Sequence, residues 1–367
     1  MKTNILTLSF PHDKRILIVS DLHAHKEGFV RLLENARFSK DDILVIVGDI
    51  LEKGTESLSL LRHIMRLSKT HTVYTLMGNV DYWRLVGLLS DDVKTQKDFV
   101  STSAAYVKWW DACILSEMLS EIGLSLTEDL DTEAVFPILR AHFKEEIDFL
   151  SSLPAILETD NMIFVHGGIP HENVTEFENE ERHRFLKWDH FLSAGLSFSK
   201  YVVVGHWPVT LYSKSYPCAN PIIDKQRRIL SIDGGCGVKK EGQINLIIME
   251  NADSEDFSFM TWDGLKTVTA LDHQAESESF GYIRWGDCEV DVVSVNGDTA
   301  RVFHHGKEME IPSDCLYKKD DGWYSNEITD YCLPVSPGDT LSVIKETPRG
   351  LYAKKDGVTG WYTGRYM

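Results

Sequence analysis

The chain is 367 residues long with 43% hydrophobic and 26% charged residues, which places it in the globular class with room for one large core plus a smaller module, or for two ordinary domains. Against 38 Lys and Arg stand 56 Asp and Glu, a formal charge of −18, which argues against nucleic acid or an anionic membrane as partner because both attract proteins through Lys and Arg. The 6 cysteines include no C-x-x-C pair, so neither a zinc ribbon nor a disulfide framework is indicated, and the absence of a long apolar run leaves a soluble cytoplasmic protein as the expectation.

In chain order, the first apolar runs are RILIVSD (15–21), ILVIVGD (43–49) and TVYTLMGN (72–79), each β-branched and apolar on both faces as a buried strand requires. Between them FVRLLENARF (29–38) and SLSLLRHIMRLS (57–68) place apolar residues at i, i+3 and i+4, so the spacing predicts strand, helix, strand, helix, strand with parallel pairing. Residues 84–153 change to long amphipathic stretches such as YVKWWDACILSEMLSEIGL (106–124) and read as a mainly helical insertion. It is either a packing layer or a cap over a cleft, with Trp109 and Trp110 available for both roles. Two more buried strands follow, MIFVHGG (162–168) and YVVVGH (201–206), and QINLIIME (243–250) reads as a last core strand.

A polar, acidic stretch at 253–278 reads as a linker. Beyond it short alternating segments are punctuated by turn sequences such as Asn296-Gly297-Asp298 and Ser336-Pro337-Gly338-Asp339, the pattern of small antiparallel barrels. The expected division is 1–270 as one domain and 271–367 as a β-rich region.

The first three runs and the two later ones all end in residues able to bind a metal: Asp21 and His23, Asp49, Asn79, His166 and His206. Ligands in parallel α/β sheets gather off the carboxyl ends of the strands, so these donors can converge. Carboxylate, amide and imidazole donors without thiolate suit Mn, Fe, Zn or Co, and two such ions about 3.5–4 Å apart would polarise a phosphoryl group and generate a hydroxide nucleophile. A centrally placed carboxylate has to bridge them, and Asp49 is the candidate. Any one of these residues alone is more often a cap or a hydrogen-bonded loop residue; the coincidence at successive strand ends carries the reading.

The ordered series D-L-H, G-D-x-x-x-x-G, G-N-x-D, V-H-G-G and G-H-x-P resembles the calcineurin-like metallophosphoesterase superfamily, in particular its phosphoprotein phosphatase branch. FKEEIDFLSSLPAIL (143–157) and ILSIDGGCG (229–237) resemble bacterial members of that branch. The resemblance implies a β-sandwich flanked by helices, in α/β/β/α layers, with Asp21, His23 and Asp49 on a first metal and Asp49, Asn79, His166 and His206 on a second. It also implies a phosphorylated protein or nucleotide as substrate.

Three positions depart from the family, which usually writes G-D-x-V-D-R-G and G-N-H-[ED]. There the His is a general acid, oriented by the Asp, and the Arg grips phosphate. This chain has Glu52, Lys53 and Val80 instead. Lys53 keeps the charge for phosphate but loses the bidentate fork. Glu52 is either a lengthened substitute carboxylate or a solvated loop acid. Val80 cannot give a proton, which His25 or His171 could supply in its place.

Within the C-terminal region 337–367 resembles bacterial SH3-like repeats through a strand pattern ending in G-W-Y-T-G, with 281–317 forming a possible second small barrel. Such modules bind peptides or a second copy on aromatic grooves, and Tyr352, Trp361 and Tyr362 are either groove or barrel core. The function expected is a dinuclear metal-dependent phosphoesterase of the protein phosphatase type. Its competitors are a phosphodiesterase or dinucleoside polyphosphate hydrolase of the same fold, and a metal-binding scaffold without catalysis.

Overall fold

The computed structural model describes residues 2–367, and the chain divides into two compact units, the first running to Pro208 and resuming over Pro221–Trp262, the second made of Val209–Asn220 and Asp263–Met367. The boundary at 270 read from the sequence falls inside the second unit. No helix among the described residues is long and apolar enough to cross a membrane.

The strands of the first unit are β1 (Ile5–Thr7), β2 (Ile16–Val19), β3 (Ile43–Ile46), β4 (Thr72–Thr75), β5 (Ile156–Glu158) and β6 (Met162–Val165). They continue as β7 (Tyr201–Val204), β8 (Ile222–Asp224), β9 (Ile229–Ser231), β10 (Ile244–Met249) and β11 (Ser258–Trp262). Two sheets result, of order β11-β10-β2-β3-β4 and β1-β5-β6-β7-β9-β8. In the first, β2, β3 and β4 run parallel, with Ile16 opposite Ile43 and Ile43 opposite Thr72, as the crossover pattern demands. In the second, β6, β7 and β9 run parallel.

Because both faces of β2, β3, β6 and β7 are apolar, each sheet can bury one face against helices and the other against its partner sheet. The shared core joins Ile16, Ile18, Val45 and Val47 from one sheet with Phe164, Val203 and Leu230 from the other. The architecture is thus a mixed α/β sandwich with helices, as the resemblance implied. What the sequence did not reveal is that the ligand-bearing runs are dealt three to one sheet and two to the other.

Helices α1 (Lys26–Asn35) and α2 (Ser57–Ser68) are the crossovers of the first sheet. Helix α3 (Asn79–Leu89) begins ahead of the segment read as an insertion and runs into it, and 84–153 further holds α4 (Val93–Trp110), α5 (Ile114–Glu121), α6 (Thr132–His142) and α7 (Lys144–Ser152). Side-chain caps start three of them: Asp92 accepts from Thr95 N, Cys113 from Ser116 N, and Asp131 from Ala134 N.

Glu52 is not a solvated loop acid. It is fully buried, accepts from Arg84 Nε of α3 at 2.8 Å and from Ile114 N at the start of α5 at 3.3 Å. Arg84 in turn lies 4.4 Å over the Tyr106 ring of α4. One carboxylate therefore ties the loop after β3 to three helices.

The 253–278 stretch is not a linker: Ser258–Trp262 is the edge strand β11, paired antiparallel with β10, and a further strand begins at Lys266. That strand, β12 (Lys266–Thr269), opens an all-β unit of β13 (Tyr282–Ile283), β14 (Glu289–Asn296), β15 (Thr299–His304), β16 (Lys307–Pro312), β17 (Leu316–Lys319) and β18 (Gly322–Ser325). It ends with β19 (Ile328–Thr329), β20 (Thr340–Thr347), β21 (Gly350–Lys355) and β22 (Val358–Tyr362). Sheets of order β16-β15-β14-β18-β17 and β12-β20-β21-β22 form it, the additional β module expected. Tyr352, Trp361 and Tyr362 are buried in its core rather than lining a groove, and Trp361 Nε1 donates to Thr329 O at 2.7 Å.

Candidate metal centre

Three of the five ligand-bearing strands of the first unit, β2, β3 and β7, stop just before their polar residues, where the backbone turns into a conformation no strand can hold. Asp21, His23, Asp49 and His206 all have positive φ, between 43° and 67°. A non-glycine residue in that region typically costs about 1–3 kcal/mol, and such positions gather at functional sites. Asn79 is presented differently, as the first residue of α3, and His166 follows β6 directly. Gly78 is required beside them: a Cβ there would land on the backbone N and Oδ1 of Asp49.

The two sheets bring all six predicted ligands together, in two groups that share Asp49. On one side His23 Nε2 lies 3.8 Å from Asp21 Oδ1 and 3.7 Å from Asp49 Oδ2. On the other, His166 Nε2 lies 3.3 Å from Asp49 Oδ1 and 3.0 Å from Asn79 Oδ1, which also meets His206 Nδ1 at 2.8 Å. Asp49 thus turns one oxygen to each group.

The donors fit divalent cations. Asp21 Oδ1 is buried with no hydrogen-bond partner, while Oδ2 accepts from Ser20 Oγ and His206 N. Burial, then the nearby Asp233 carboxylate, pushes the Asp21 carboxyl well above its ordinary range. Burial also opposes charge on His166, but Asp49 and Asp21 outweigh it and raise that imidazole to about 10. The same pocket lowers His23 to about 3, through burial and then Lys53, so it is a neutral donor. Carboxylates crowded out of water in this way are what a bound cation would neutralise.

Lys53 places Nζ 3.1 Å from His23 Nε2, at the edge of the first group. His25 packs beside it: its Nδ1 donates to His23 O at 2.7 Å, which leaves Nε2 an acceptor in the neutral ring. His25 can therefore give up a proton to substrate only as imidazolium. His171 is not brought to the cluster; it is half-exposed, 3.5 Å from Glu176 Oε2 and beside the tilted ring of Phe177.

Val80 contributes its backbone. Its N–H donates to Asp49 Oδ1 at 2.8 Å and its side chain is buried. Asp81, next in line, accepts from the N–H groups of Ile50, Leu51 and Gly78 at 3.1 Å each. It clamps the Asp49 turn to the start of α3. Burial, then Asp49, raises its carboxyl to about 7.

Sequence reasoning missed Asp189 and Asp233. Asp189 Oδ1 accepts from His206 Nε2 at 2.7 Å, which fixes the ring with Nδ1 as its free donor atom. Asp233 is buried near Asp21 and accepts from Gly235 N at 2.7 Å, with its carboxyl raised to about 6 by burial. It lies within ILSIDGGCG, after strand β9, where the strand-end pattern offers a signal for it. Asp189 had no signal, being one acid among 56 Asp and Glu.

The helical segment reaches this region through Trp110, whose Nε1 donates to Gly237 O at 2.8 Å, and Gly237 packs against Lys53 and His25. Trp109 is exposed. Beside the second group, a cavity of about 380 Å³ is lined by Asn79 itself, Tyr82, Trp83, His183, Lys187 and Trp188. In the β unit, Asp287, His304 and His305 form a separate cluster of donor atoms within 4.8 Å, knit by hydrogen bonds to Asp287.

A family model described as calcineurin-like phosphoesterase matches residues 14–249. Among solved structures, the chain is similar to a protein assigned as a diadenosine tetraphosphatase, with 18% identity over 71% of this chain and 100% of that one and a TM-score of 0.44. A serine/threonine phosphatase from Saccharomyces cerevisiae is 12% identical over 72% of this chain and 84% of that one, with a TM-score of 0.41. A metallophosphoesterase from Sphaerobacter thermophilus is 17% identical over 68% and 88%, with a TM-score of 0.39. No curated protein sequence matches.

Proposed function

Because the chain belongs to the calcineurin-like phosphoesterase family, we propose that it is a dinuclear metal-dependent hydrolase of phosphate monoesters carried by proteins. The observation that carries this reading is Asp49, whose two oxygens face two separate donor groups, Asp21 with His23 and Asn79 with His166 and His206. Divalent ions bound there would neutralise a phosphoryl group and supply an activated water near neutral pH. The chain's own part is to hold six donors rigidly, to keep His206 oriented through Asp189, and to offer Lys53 as a cation for a phosphate oxygen.

A nucleotide anhydride or diester hydrolase is the second reading, favoured by Val80, since those leaving groups need less protonation than a serine alkoxide. The C-terminal β unit then serves to bring substrate or a second copy to the enzyme. Its exposed Phe303 and Trp323, rather than the buried Trp361, support such contact.

Substrate profiling of the manganese-loaded protein tests the proposal. Phosphate released from phosphopeptides supports it; cleavage confined to dinucleotides or diesters replaces it with the second reading. Metal-loaded protein and Asp49→Asn variant equally inert toward p-nitrophenyl and bis-p-nitrophenyl phosphate would leave only a scaffold.

A further inference from the structure

The cavity that shares Asn79 with the second donor group is aromatic. Tyr82 and Trp83 follow Asn79 at i+3 and i+4 on α3, so all three lie on one helix face with neighbouring Cβ atoms about 5–6 Å apart. Tyr82 and Trp83 meet edge to face at 5.1 Å, His183 stacks obliquely 6.3 Å from Trp83, and Trp188 closes the wall. Trp83 is half-exposed, which for a large aromatic one turn from a catalytic centre leaves a bare ring face at the mouth. At the rim Arg184 and Lys187 are joined by Asp189, whose Oδ1 lies 4.0 Å from Lys187 Nζ.

Position decides what this wall suits. A nucleobase stands a full ribose away from its nearest phosphate, whereas the ring of an aryl phosphate is joined to the phosphoryl oxygen directly. The aromatic wall begins one helical turn from Asn79, a placement that suits the directly joined ring. Leaving-group chemistry points the same way from an independent observation: position 80 holds valine, so no proton donor stands there for an alkoxide. A phenolic oxygen, with a pKa of about 10, leaves far more readily.

We propose that this cavity receives the aromatic ring of an aryl phosphate monoester, with a phosphotyrosyl side chain as the substrate class, and that Trp83 is the stacking face. The proposal rests on the phosphoesterase reading above. In the reaction the P–O bond to the ring breaks with its electron pair left on the aryl oxygen. Water supplies the oxygen added to phosphorus, and the aryl oxide takes up a proton from solvent.

The test pairs binding with turnover. Binding of phenylphosphonate and methylphosphonate to the manganese-loaded protein is measured by calorimetry, in the parent, Trp83→Ala and Trp83→Leu. Hydrolysis of a phosphotyrosine peptide is compared with that of the same peptide carrying phosphoserine. We expect phenylphosphonate to bind about 3- to 10-fold tighter in the parent, and Trp83→Ala to erase most of that preference. Turnover should favour the phosphotyrosine peptide. Equal binding of the two phosphonates, or a preference untouched in both variants, overturns the pocket even if esters are hydrolysed. Clear discrimination without turnover of any ester overturns instead the phosphoesterase reading, and the aryl ester as substrate with it.

Discussion

Val80 gives its backbone N–H to Asp49 Oδ1 at 2.8 Å while its side chain, where related sequences carry a proton donor, is buried. The main chain at this corner thus serves the shared carboxylate, and the side chain adds no acid. Hydrolysis is accordingly expected to depend steeply on the leaving group. A positioned general acid is typically worth about 10²- to 10⁴-fold, and that factor should separate activated aryl esters from alkyl esters in kcat/KM. A series of aryl and alkyl phosphates measured on one preparation checks it. A flat series would mean that another group donates, and His25→Ala would then be the variant to examine, since His25 is held beside the first donor group by its bond to His23 O.

Glu52 and Arg84 form a buried ion pair whose carboxylate also receives Ile114 N. Removing one partner strands the other's charge in a dry site, which costs about 3–5 kcal/mol, whereas replacing both by apolar residues of similar volume costs much less. Glu52→Leu and Arg84→Met should each lower the urea midpoint strongly, and the double variant should recover a large part of the loss. Additive losses would show that the two side chains act separately.

The ligands were legible because two signals coincided at each of them: an apolar run long enough for one strand, and a metal-binding residue immediately after it. The division of those strands between two sheets was not, since β3 and β6 look alike as sequences and only pairing distinguishes them. Edge strand β11 escaped because SFMTW is short and follows an acidic run, and its Phe259 and Met260 stay exposed at the sheet edge, so no buried face with period two marks it. The role of Glu52 was equally hidden, because its burial is decided by Arg84, a residue on another element. Asp189 stands in the same position: an acid in a loop becomes a partner of His206 only once the chain has folded.

His206 offers Nδ1 to the Asn79 group only while its Nε2–H is held by Asp189. Losing such a supporting carboxylate typically weakens metal affinity about 10- to 100-fold. Asp189→Ala should therefore bind its weaker metal equivalent less tightly in a chelator competition, with Asp189→Asn intermediate because an amide oxygen still accepts from Nε2. Unchanged binding in Asp189→Ala would show that the ring is positioned by its backbone alone.

Metal removal should destabilise the fold, and Asp21 shows why. Its carboxyl is buried beside Asp233 and Asp49, and Oδ1 has no hydrogen-bond partner, so without a cation the site must either hold a charge that water cannot reach or take up a proton to discharge it. A ligand binding only the folded state adds about 2.7 kcal/mol at a free concentration of 100 times Kd, which chelation takes away. In Asp21→Asn the amide oxygen can still accept from His206 N and Ser20 Oγ, while an uncharged NH2 replaces Oδ1. Urea unfolding with manganese and with EDTA should thus show a large metal-dependent gain in the parent and a small one in Asp21→Asn. With EDTA present the variant should be at least as stable as the parent. Identical midpoints for the parent under both conditions would mean that these carboxylates hold no cation.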